Sequence, residues 1–485
     1  MEDTKQDVEH LDEQARPNQH TASETRKVVL KLDVLILPIT ALMYVAASLD
    51  RGNIGNAKLQ GLLTILGNNS DTHYSICLMA FYITYVVFNI PGNLLLTVIS
   101  PDKAIALGAL VWGIAATAQA GAQNFASVVV CRLFIGLGES SFGTAIGLYY
   151  SFWYTRDEIA KRISLYIGMG SLAGAFGGLI AYGVQYIHSD LANFRILFLI
   201  EGLPTLLLSL VVFLFLPSYP TKSRYLKEAE RDIVQAHLVD PGYDRRHSFD
   251  RTALKRCFTT RTTYPNGVVY LAVNLTLGSV SGFLPTIIAS FGYTNAKAQL
   301  YTVPPYAVAF VGTIIASTLS DRCRSRGLFV VGLCLFSAIG FAILLAVPSN
   351  HAVRYFAVFP AVLGCFSIGP LMMTWAANTA GSHSAAGVRL GFMNAFGQSF
   401  SILASFSFPA SEGPHWYRGF GPNLAMNGVA AVAAGYLTWY YRRENARRDR
   451  LESLQAQDNG NAAKDIRAES EGGLHDLAPG FRYFV

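Results

Sequence analysis

Four ionisable residues fall where long apolar runs predict membrane-spanning helices, and Asp50 and Arg51 are the first two. They follow an apolar run of only 16 residues, Val34 to Leu49, whereas a span needs about 20. The helix is therefore predicted to continue through ASLDRGNIGNA and to carry both charges into the membrane. A charge there costs at least about 2.5 kcal/mol, so we expect a partner or a watery cavity. The alternative is that both residues cap a short helix at the interface.

Arg132 and Glu139 lie in a later apolar run, seven residues apart, and so share one helical face. Arg132 is predicted two turns inside the outer edge, at the depth of Asp50, and an Asp50–Arg132 pair is expected. Glu139 is predicted near mid-membrane with no neutralising residue on its own helix. A carboxyl in such a low-dielectric site is a natural proton carrier. The alternative is a purely structural buried pair between helices.

Other polar residues inside the predicted spans carry weaker signals. Arg195 and Glu201 open the sixth span, where a structural tie to a neighbouring helix is expected. Asn378 in span 10 and Asn394 in span 11 are candidates for hydrogen bonds to a substrate. Hydrogen bonds between helices are an equally good interpretation of both asparagines.

The composition indicates which elements position these residues. The chain has 485 residues, of which 52% are hydrophobic and 14% charged, against about 25% charged in soluble domains. This excludes a soluble globular enzyme, a disordered protein and a secreted disulfide scaffold. We predict an all-α integral membrane protein with twelve transmembrane helices. The predicted spans are 34–58, 77–98, 103–123, 126–152, 163–187, 195–216, 266–290, 300–320, 327–347, 354–376, 388–409 and 420–441.

The spans divide six and six around a polar segment. The predicted organisation is an N-terminal tail, a first half, a central loop, a second half and a C-terminal tail, at 1–33, 34–216, 217–265, 266–441 and 442–485. The central loop contains KSRYLKEAERDIVQAHL, which predicts an amphipathic surface helix. Two six-helix halves with a site at their midplane interface are typical of secondary transporters.

Lys and Arg concentrate in the connections on the side of both termini, which predicts that both termini are cytoplasmic. Asn68 then falls in the first outer loop, within an N-x-S glycosylation sequence. The same basic bias accounts for the net charge of +6, so no nucleic-acid partner is expected. Six scattered cysteines give no metal-binding spacing, and neither a metal nor a cofactor is expected.

Several motifs together resemble the anion:cation symporter family of the major facilitator superfamily. They are SLDRGNIGNAK (48–58), CRLFIGLGESSFGTAIGLYYSFWYTRDEIAKRIS (131–164), FRILFLIEGLPTLLL (194–208), SDRCRSR (320–326), WAANTAGSHS (375–384), NAFGQSF (394–400) and PHWYRGF (414–420). The final GFRYFV resembles the ending of the fungal allantoate-permease-like branch. The resemblance implies the major facilitator fold.

It also implies roles for the intramembrane charges. In similar organic-anion symporters, an arginine at the place of Arg51 binds the substrate carboxylate. Acidic residues at the places of Asp50 and Glu139 take up protons, and the arginine matching Arg132 tunes one of them. Ser48 departs from the pattern, because the family usually has a tyrosine there.

The function predicted from the sequence is uptake of a small organic anion, a vitamin-like or nitrogen-rich monocarboxylate, by alternating access. The proton gradient is the expected driving force, and a monomer in the plasma membrane is the expected form. The alternatives are export of an acidic secondary metabolite and, from another class, a nutrient sensor that does not transport. No nucleophile or nucleotide signature favours an enzyme.

Overall fold

The computed structural model describes residues 21–67, 71–143, 145–238, 258–380, 383–457, 482–483 and 485. Within these ranges the secondary structure is helical and contains no β-strand. The glycosylation candidate Asn68 lies outside the described residues, as does the central loop from 239 to 257.

The described chain forms fifteen α-helices, numbered here in chain order. They are α1 Ala22–Lys58, α2 Asp71–Val98, α3 Pro101–Ala118, α4 Phe125–Ser140, α5 Ala145–Ser151, α6 Arg156–Val184, α7 Asn193–Phe215, α8 Glu228–Leu238, α9 Thr263–Ala289, α10 Asn295–Leu300, α11 Val303–Arg322, α12 Arg326–Ala346, α13 His351–Asn378, α14 His383–Ala404 and α15 Tyr417–Gln457.

The predicted spans correspond to these helices. In the described part of the chain, nine helical stretches are long and apolar enough to cross a membrane, and they match nine of the twelve predictions. The other three predicted spans fall on α4 with α5, on α14 and on α15. This confirms the all-α membrane fold. The fourth span was wrong in one respect, because it was predicted as continuous over 126–152. In the structure its helix stops after Ser140 and begins again at Ala145.

Helix packing in the first half is repeated in the second. In the first half α1 packs on α6, α2 on α4 and α3 on α7. The corresponding pairs of the second half are α9 with α14, α11 with α13 and α12 with α15. Between the halves, α1 contacts α9, α2 contacts α14 and α6 contacts α11. The residues at this boundary therefore come from both halves.

Helix α1 is one continuous element that carries the first two charges into the bundle. Thr21 and Glu24 form a capping box at its start, which satisfies free N–H groups of the first turn. It ends at Lys58, which makes an ion pair with Asp71 at the start of α2 (Nζ–Oδ1 2.7 Å). The predicted continuation beyond Leu49 is confirmed, and the interpretation of Asp50 as an interfacial cap is wrong.

The side of the bundle that holds the start of α1 and the end of α15 is called here the terminus face. The surface helix α8 lies there, in part of the segment where an amphipathic helix was predicted. Lys31 of α1 donates to Glu230 of α8 (2.7 Å) and lowers the pKa of that carboxyl. Arg162 of α6 makes a bidentate ion pair with Asp33 of α1 (2.7 and 2.8 Å). The first contact connects the surface helix to the bundle, and the second joins two helices of the bundle itself.

The described residues of the C-terminal segment also dock at the terminus face. The N–H of Arg326, at the start of α12, donates to the carbonyl oxygen of Val485 (2.8 Å). Tyr483 exchanges two hydrogen bonds with the side chain of Asn445 on α15 (2.8 and 2.9 Å). Its ring stacks on Tyr441, with centroids 4.8 Å apart. The segment therefore joins α12 to the extension of α15.

The other end of the bundle, called here the opposite face, is closed by contacts between the halves. Gln299 of α10 donates to the carbonyl of Asn56 (3.1 Å) and accepts from Gln60 (3.3 Å) and Gln185 (3.1 Å). Helices α1 and α9 approach so closely that a Cβ on Gly55 would lie 2.9 Å from the carbonyl oxygen of Gly282. Only a glycine fits at such a contact.

Candidate functional site

Arg51 and Glu139 form an ion pair inside the first half. Arg51 Nε donates to Glu139 Oε2 at 2.6 Å, and the residues are 88 positions apart in the chain. The Glu139 side chain is fully buried, whereas that of Arg51 is 15% exposed. Arg51 is thus the more exposed partner of the pair. Sequence reasoning placed both residues in the membrane but did not predict that they pair.

The end of α4 fixes the position of Glu139. Asn124 caps the helix at the opposite face, and Glu139 follows 15 residues later, about 22 Å along the axis. The helix stops after Ser140, where the hydroxyls of Ser140 and Ser141 donate to carbonyls three residues back (2.6 and 2.8 Å). A helix C-terminus carries partial negative charge and disfavours a carboxylate there. The guanidinium of Arg51 offsets this penalty.

Close helix packing holds α4 beside its neighbours. A Cβ on Gly138 would lie 2.6 Å from the carbonyl oxygen of Gly108 on α3. Small residues at this point let the backbones approach within lipid, as in other membrane bundles. The glycine next to Glu139 in the sequence therefore serves to position the helix that carries the carboxyl.

Aromatic rings line the guanidinium of Arg51. Its Cζ lies 4.9 Å from the ring centre of Tyr85 and 5.4 Å from that of Phe81, both on α2. Ring faces stabilise a desolvated cation by roughly 2 kcal/mol without neutralising it. Arg51 therefore keeps its charge in an apolar site and remains able to bind an anion.

Asp50, next to Arg51, is held separately. Its Oδ2 accepts from the indole of Trp112 on α3 (3.1 Å) and from the hydroxyl of Thr205 on α7 (3.3 Å). The residue is 3% exposed. Two donors directed at one oxygen stabilise the ionised carboxylate. Asp50 and Glu139 thus occupy different environments, one with neutral donors and one with an arginine.

Arg132 contacts Asp50, but not in the way that was expected. Its Nη1 donates to the backbone carbonyl of Asp50 (3.1 Å), and the expected ion pair with the Asp50 side chain is not formed. The guanidinium is 1% exposed and lies over the ring of Phe81, 5.2 Å from its centre. The depth argument was right, but the partner atom depends on side-chain directions that depth alone does not determine.

Arg195 and Glu201 differ from each other. Arg195 donates to the carbonyl of Ala120 (2.6 Å), a tie to a neighbouring segment as predicted. Glu201 is 5% exposed, and neither carboxyl oxygen has a hydrogen-bond partner among the described residues. The expected tie is therefore not formed by the side chain of Glu201.

The second half contributes neutral polar groups. Asn394 on α14 is buried, and its Nδ2 has no hydrogen-bond partner in the described part of the chain. Asn378 is half-buried and is the last residue of α13, at the terminus face. The substrate contacts proposed for both asparagines stay predictions.

Sequence reasoning missed Trp112 and Thr205, the two donors to Asp50. Each gave a usable signal. Trp112 is a large residue with a polar N–H inside an apolar run, and such groups find partners when buried. Thr205 lies one helical turn after Glu201, on the same face as that intramembrane carboxyl.

The charges of this site indicate what it binds. Within the described ranges, no group of three His, Cys, Asp or Glu residues is placed to hold a metal ion. The Arg51–Glu139 pair is neutral overall, with a partly exposed cation and a buried carboxylate. Protonation of Glu139 would leave the pair with a net positive charge, which favours an anion.

Comparisons with known proteins agree with the fold. The family model described as Major Facilitator Superfamily matches residues 40–405. The MFS transporter prlL of a fungal species is 32% identical, over 88% of this chain and 88% of its own. The high-affinity nicotinic acid transporter of Saccharomyces cerevisiae is 28% identical, over 87% of this chain and 78% of its own.

Among solved structures, the proton:xylose symporter XylE bound to 6-bromo-6-deoxy-D-glucose is similar to this chain. The TM-score is 0.67 at 14% sequence identity, covering 86% of this chain and 96% of the symporter. At this identity the similarity concerns the fold alone.

Proposed function

The chain belongs to the major facilitator superfamily, and we propose that it is a proton-coupled carrier that takes up a small organic anion. It belongs to the symporters of organic anions within that superfamily, in the allantoate-permease-like branch. The substrate class is a monocarboxylate of vitamin-like or nitrogen-rich character. The nicotinic acid transporter among its relatives supports a carboxylate of this kind.

The observation that carries the proposal is the Arg51–Glu139 ion pair at 2.6 Å. An arginine presents a planar fork that matches a carboxylate in two parallel hydrogen bonds. In the empty carrier Glu139 takes the Nε–H of that guanidinium through Oε2, and its Oε1 has no hydrogen-bond partner among the described residues. A substrate carboxylate and the carboxylate of Glu139 therefore compete for the same guanidinium.

Charge balance couples this competition to protons. With Glu139 ionised and no substrate, the pair is neutral. With substrate bound to Arg51 and a proton on Glu139, the site is neutral again. Substrate bound without the proton would leave an extra negative charge buried in the membrane, which costs several kcal/mol. The two neutral states are the ones that change conformation, so anion and proton move together.

The same reasoning assigns roles to the neighbours. Tyr85 and Phe81 keep Arg51 charged while it exchanges partners. Trp112 and Thr205 donate to the carboxyl of Asp50, and Arg132 fixes the backbone at Asp50. Asp50 and Arg132 thus take part in coupling by positioning Arg51. Asn394, from the second half, offers an amide donor to the rest of the substrate.

The orientation proposed for the protein places the terminus face in the cytoplasm of the cell, with the plasma membrane as its location. The concentration of Lys and Arg on that side supports it. In this orientation the structure, closed at the opposite face, represents a conformation that is closed to the outside. A monomer contains the complete site, because Arg51 and Glu139 come from one chain.

Uptake of labelled carboxylates by cells that lack endogenous carriers tests the function. A panel should include nicotinate, other heteroaromatic monocarboxylates, a ureido acid and a dicarboxylate, each with and without a protonophore. We expect saturable uptake of one monocarboxylate class that the protonophore abolishes. Uptake that is insensitive to the protonophore would contradict the coupling, and net efflux under the same gradient would support export instead.

A further inference from the structure

Glu201 is a buried carboxyl to which the coupling scheme above gives no role. It lies eight residues into α7, about 12 Å from the opposite face. Asp50 lies at the same depth, eight residues before the end of α1. Both side chains are almost completely buried, and both Glu201 carboxyl oxygens are unpartnered among the described residues.

Thr205 shows that the two carboxyls share one location. It is one turn after Glu201 on α7, and its hydroxyl reaches both the Glu201 carbonyl (3.1 Å) and the Asp50 carboxylate (3.3 Å). The Glu201 side chain therefore projects from the helix face that contacts Asp50.

The surrounding elements give Glu201 no counter-ion. On the same helix as Glu201, Arg195 donates its hydrogen bond to the carbonyl of Ala120 instead. On α4, Arg132 donates to the backbone carbonyl of Asp50. On α3, the neutral indole of Trp112 donates to the Asp50 side chain. Two adjacent buried carboxyls cannot both be ionised at low cost, so such a pair holds one proton.

The donors decide which residue carries that proton. Asp50 accepts from Trp112 and Thr205, which favour its ionised form, whereas Glu201 accepts from no described group. We propose that Glu201 is a second proton-binding residue of the transport cycle, which holds the shared proton of the Asp50–Glu201 pair while the opposite face is closed and releases it when that face opens. This inference rests on the proposed function, and it adds a second proton to the one on Glu139.

Infrared difference spectroscopy of the purified protein tests the proton directly and needs no substrate. The wild type minus Glu201→Gln spectrum should show the carbonyl stretch of a protonated carboxyl at neutral pH. That band should disappear reversibly as the pH is raised. A band that is absent at neutral pH would overturn the proposal, because Glu201 would then be ionised. A band that persists at every pH would also overturn it, because the proton would be a permanent structural one.

Accumulation in proteoliposomes tests the role in the cycle. With the membrane potential clamped at zero and nicotinate or the transported member of the panel as probe, each coupled proton gives about tenfold accumulation per pH unit. Wild type should approach about 100-fold per unit, and Glu201→Gln about tenfold. Glu201→Asp, which keeps an acid, should recover the wild-type value.

Glu230→Gln is the matched control, because it removes a carboxyl from the surface helix α8 and should leave accumulation unchanged. An unchanged accumulation ratio in a folded Glu201→Gln protein would overturn the second proton. If the Gln variant is unstable, the Glu201→Asp variant replaces it as the reference for the infrared difference spectrum, and the pH dependence of the band in wild type decides the question. Absence of any accumulation by wild type would instead refute the proposed function, while the infrared result would still report on Glu201.

Discussion

The two halves repeat one packing pattern but use different polar chemistry inside it. In the first half, the buried polar groups include carboxyls and guanidinium groups, centred on Arg51, Glu139 and Asp50. In the second half, apart from three arginines near helix starts, the buried polar groups of the described residues are amides and hydroxyls. Examples are the contacts of Asn423 with Ser279 (3.0 Å) and of Asn427 with Thr276 (3.1 Å).

The arginines of the second half also have a different location. Arg326, Arg354 and Arg389 each lie within two turns of a helix start, near one face or the other. Charges in mid-membrane must be compensated at every stage of a cycle, whereas neutral hydrogen bonds carry no such requirement. The comparison suggests that the first half handles charge and the second half provides shape and neutral contacts.

The largest expected effect comes from removing the cation of the first half. Arg51→Ala should weaken binding of the transported carboxylate about 100-fold or more, because losing one partner of a buried charge pair costs about 2–5 kcal/mol. Arg51→Lys should recover little of it, since an ammonium lacks the planar fork. Equilibrium binding to purified protein measures both.

Two further variants make this result specific. Arg51→Ala with Glu139→Gln removes both charges and should regain thermal stability without regaining binding. Arg418→Ala, at an exposed arginine paired with Glu412, is the matched control and should bind normally. Unchanged affinity in Arg51→Lys would show that Arg51 does not orient a carboxylate.

The next effect separates coupling from binding. Glu139→Gln imitates the protonated residue, so Arg51 is free whatever the pH. The variant should exchange substrate between the two sides at near wild-type rates but should lose about tenfold in accumulation per unit of pH gradient. Counterflow and acid-driven uptake on the same proteoliposomes measure the two activities. An accumulation ratio equal to that of wild type would move the coupling proton to another residue. Loss of counterflow by folded protein would assign Glu139 to binding or to the conformational cycle.

A smaller effect is expected from the second half. Asn394→Ala should raise the KM for the substrate by roughly two- to tenfold, since one neutral hydrogen bond contributes about 0.5–1.5 kcal/mol. The accumulation ratio per pH unit should not change, because no proton is involved. Asn378→Ala, at the end of α13, is the companion variant. A changed accumulation ratio in either variant would contradict the conclusion that only the first half handles charge.

The smallest effect concerns the surface pair of Lys31 with Glu230, outside the membrane. The hydrogen bond from Lys31 lowers the pKa of Glu230 below its ordinary 4.5. Its stabilisation is therefore present above pH 4.5 and is lost as the pH falls through the lowered value. Glu230→Gln should cost at most about 1 kcal/mol at neutral pH and nothing in strong acid. Thermal unfolding as a function of pH measures this. An equal cost at neutral pH and in strong acid would show that the charge of Glu230 does not contribute to stability.

The sequence predicted the helices well because apolar length is a local property. The length of the first apolar run also predicted that Asp50 and Arg51 lie in the membrane, since 16 apolar residues cannot cross alone. The break after Ser140 was missed because the stretch from Ser140 to Tyr154 contains no charged residue that would mark the end of a span. That break depends on serine hydroxyls competing for backbone carbonyls, which hydropathy does not register.

The side-chain partners were the least predictable part. Arg51 and Glu139 are 88 residues apart, and their contact depends on how α1 packs beside α4. Arg132 was expected at the Asp50 carboxylate and binds the Asp50 carbonyl instead, a difference of a few ångströms at the right depth. Glu201 was expected to be tied to a neighbour, and only its structural surroundings show that its carboxyl is unpartnered.

The contact of Gly55 with Gly282 offers a way to capture the conformation that is not seen here. A single methyl group at position 55 would meet two backbone carbonyls, 2.9 and 3.1 Å away, that no side-chain rotation can move aside. Gly55→Ala is therefore a wedge that leaves every charge in place and prevents closure of the opposite face. Such a variant would give crystallographers and antibody selections a population of molecules open on that side, obtained without a ligand.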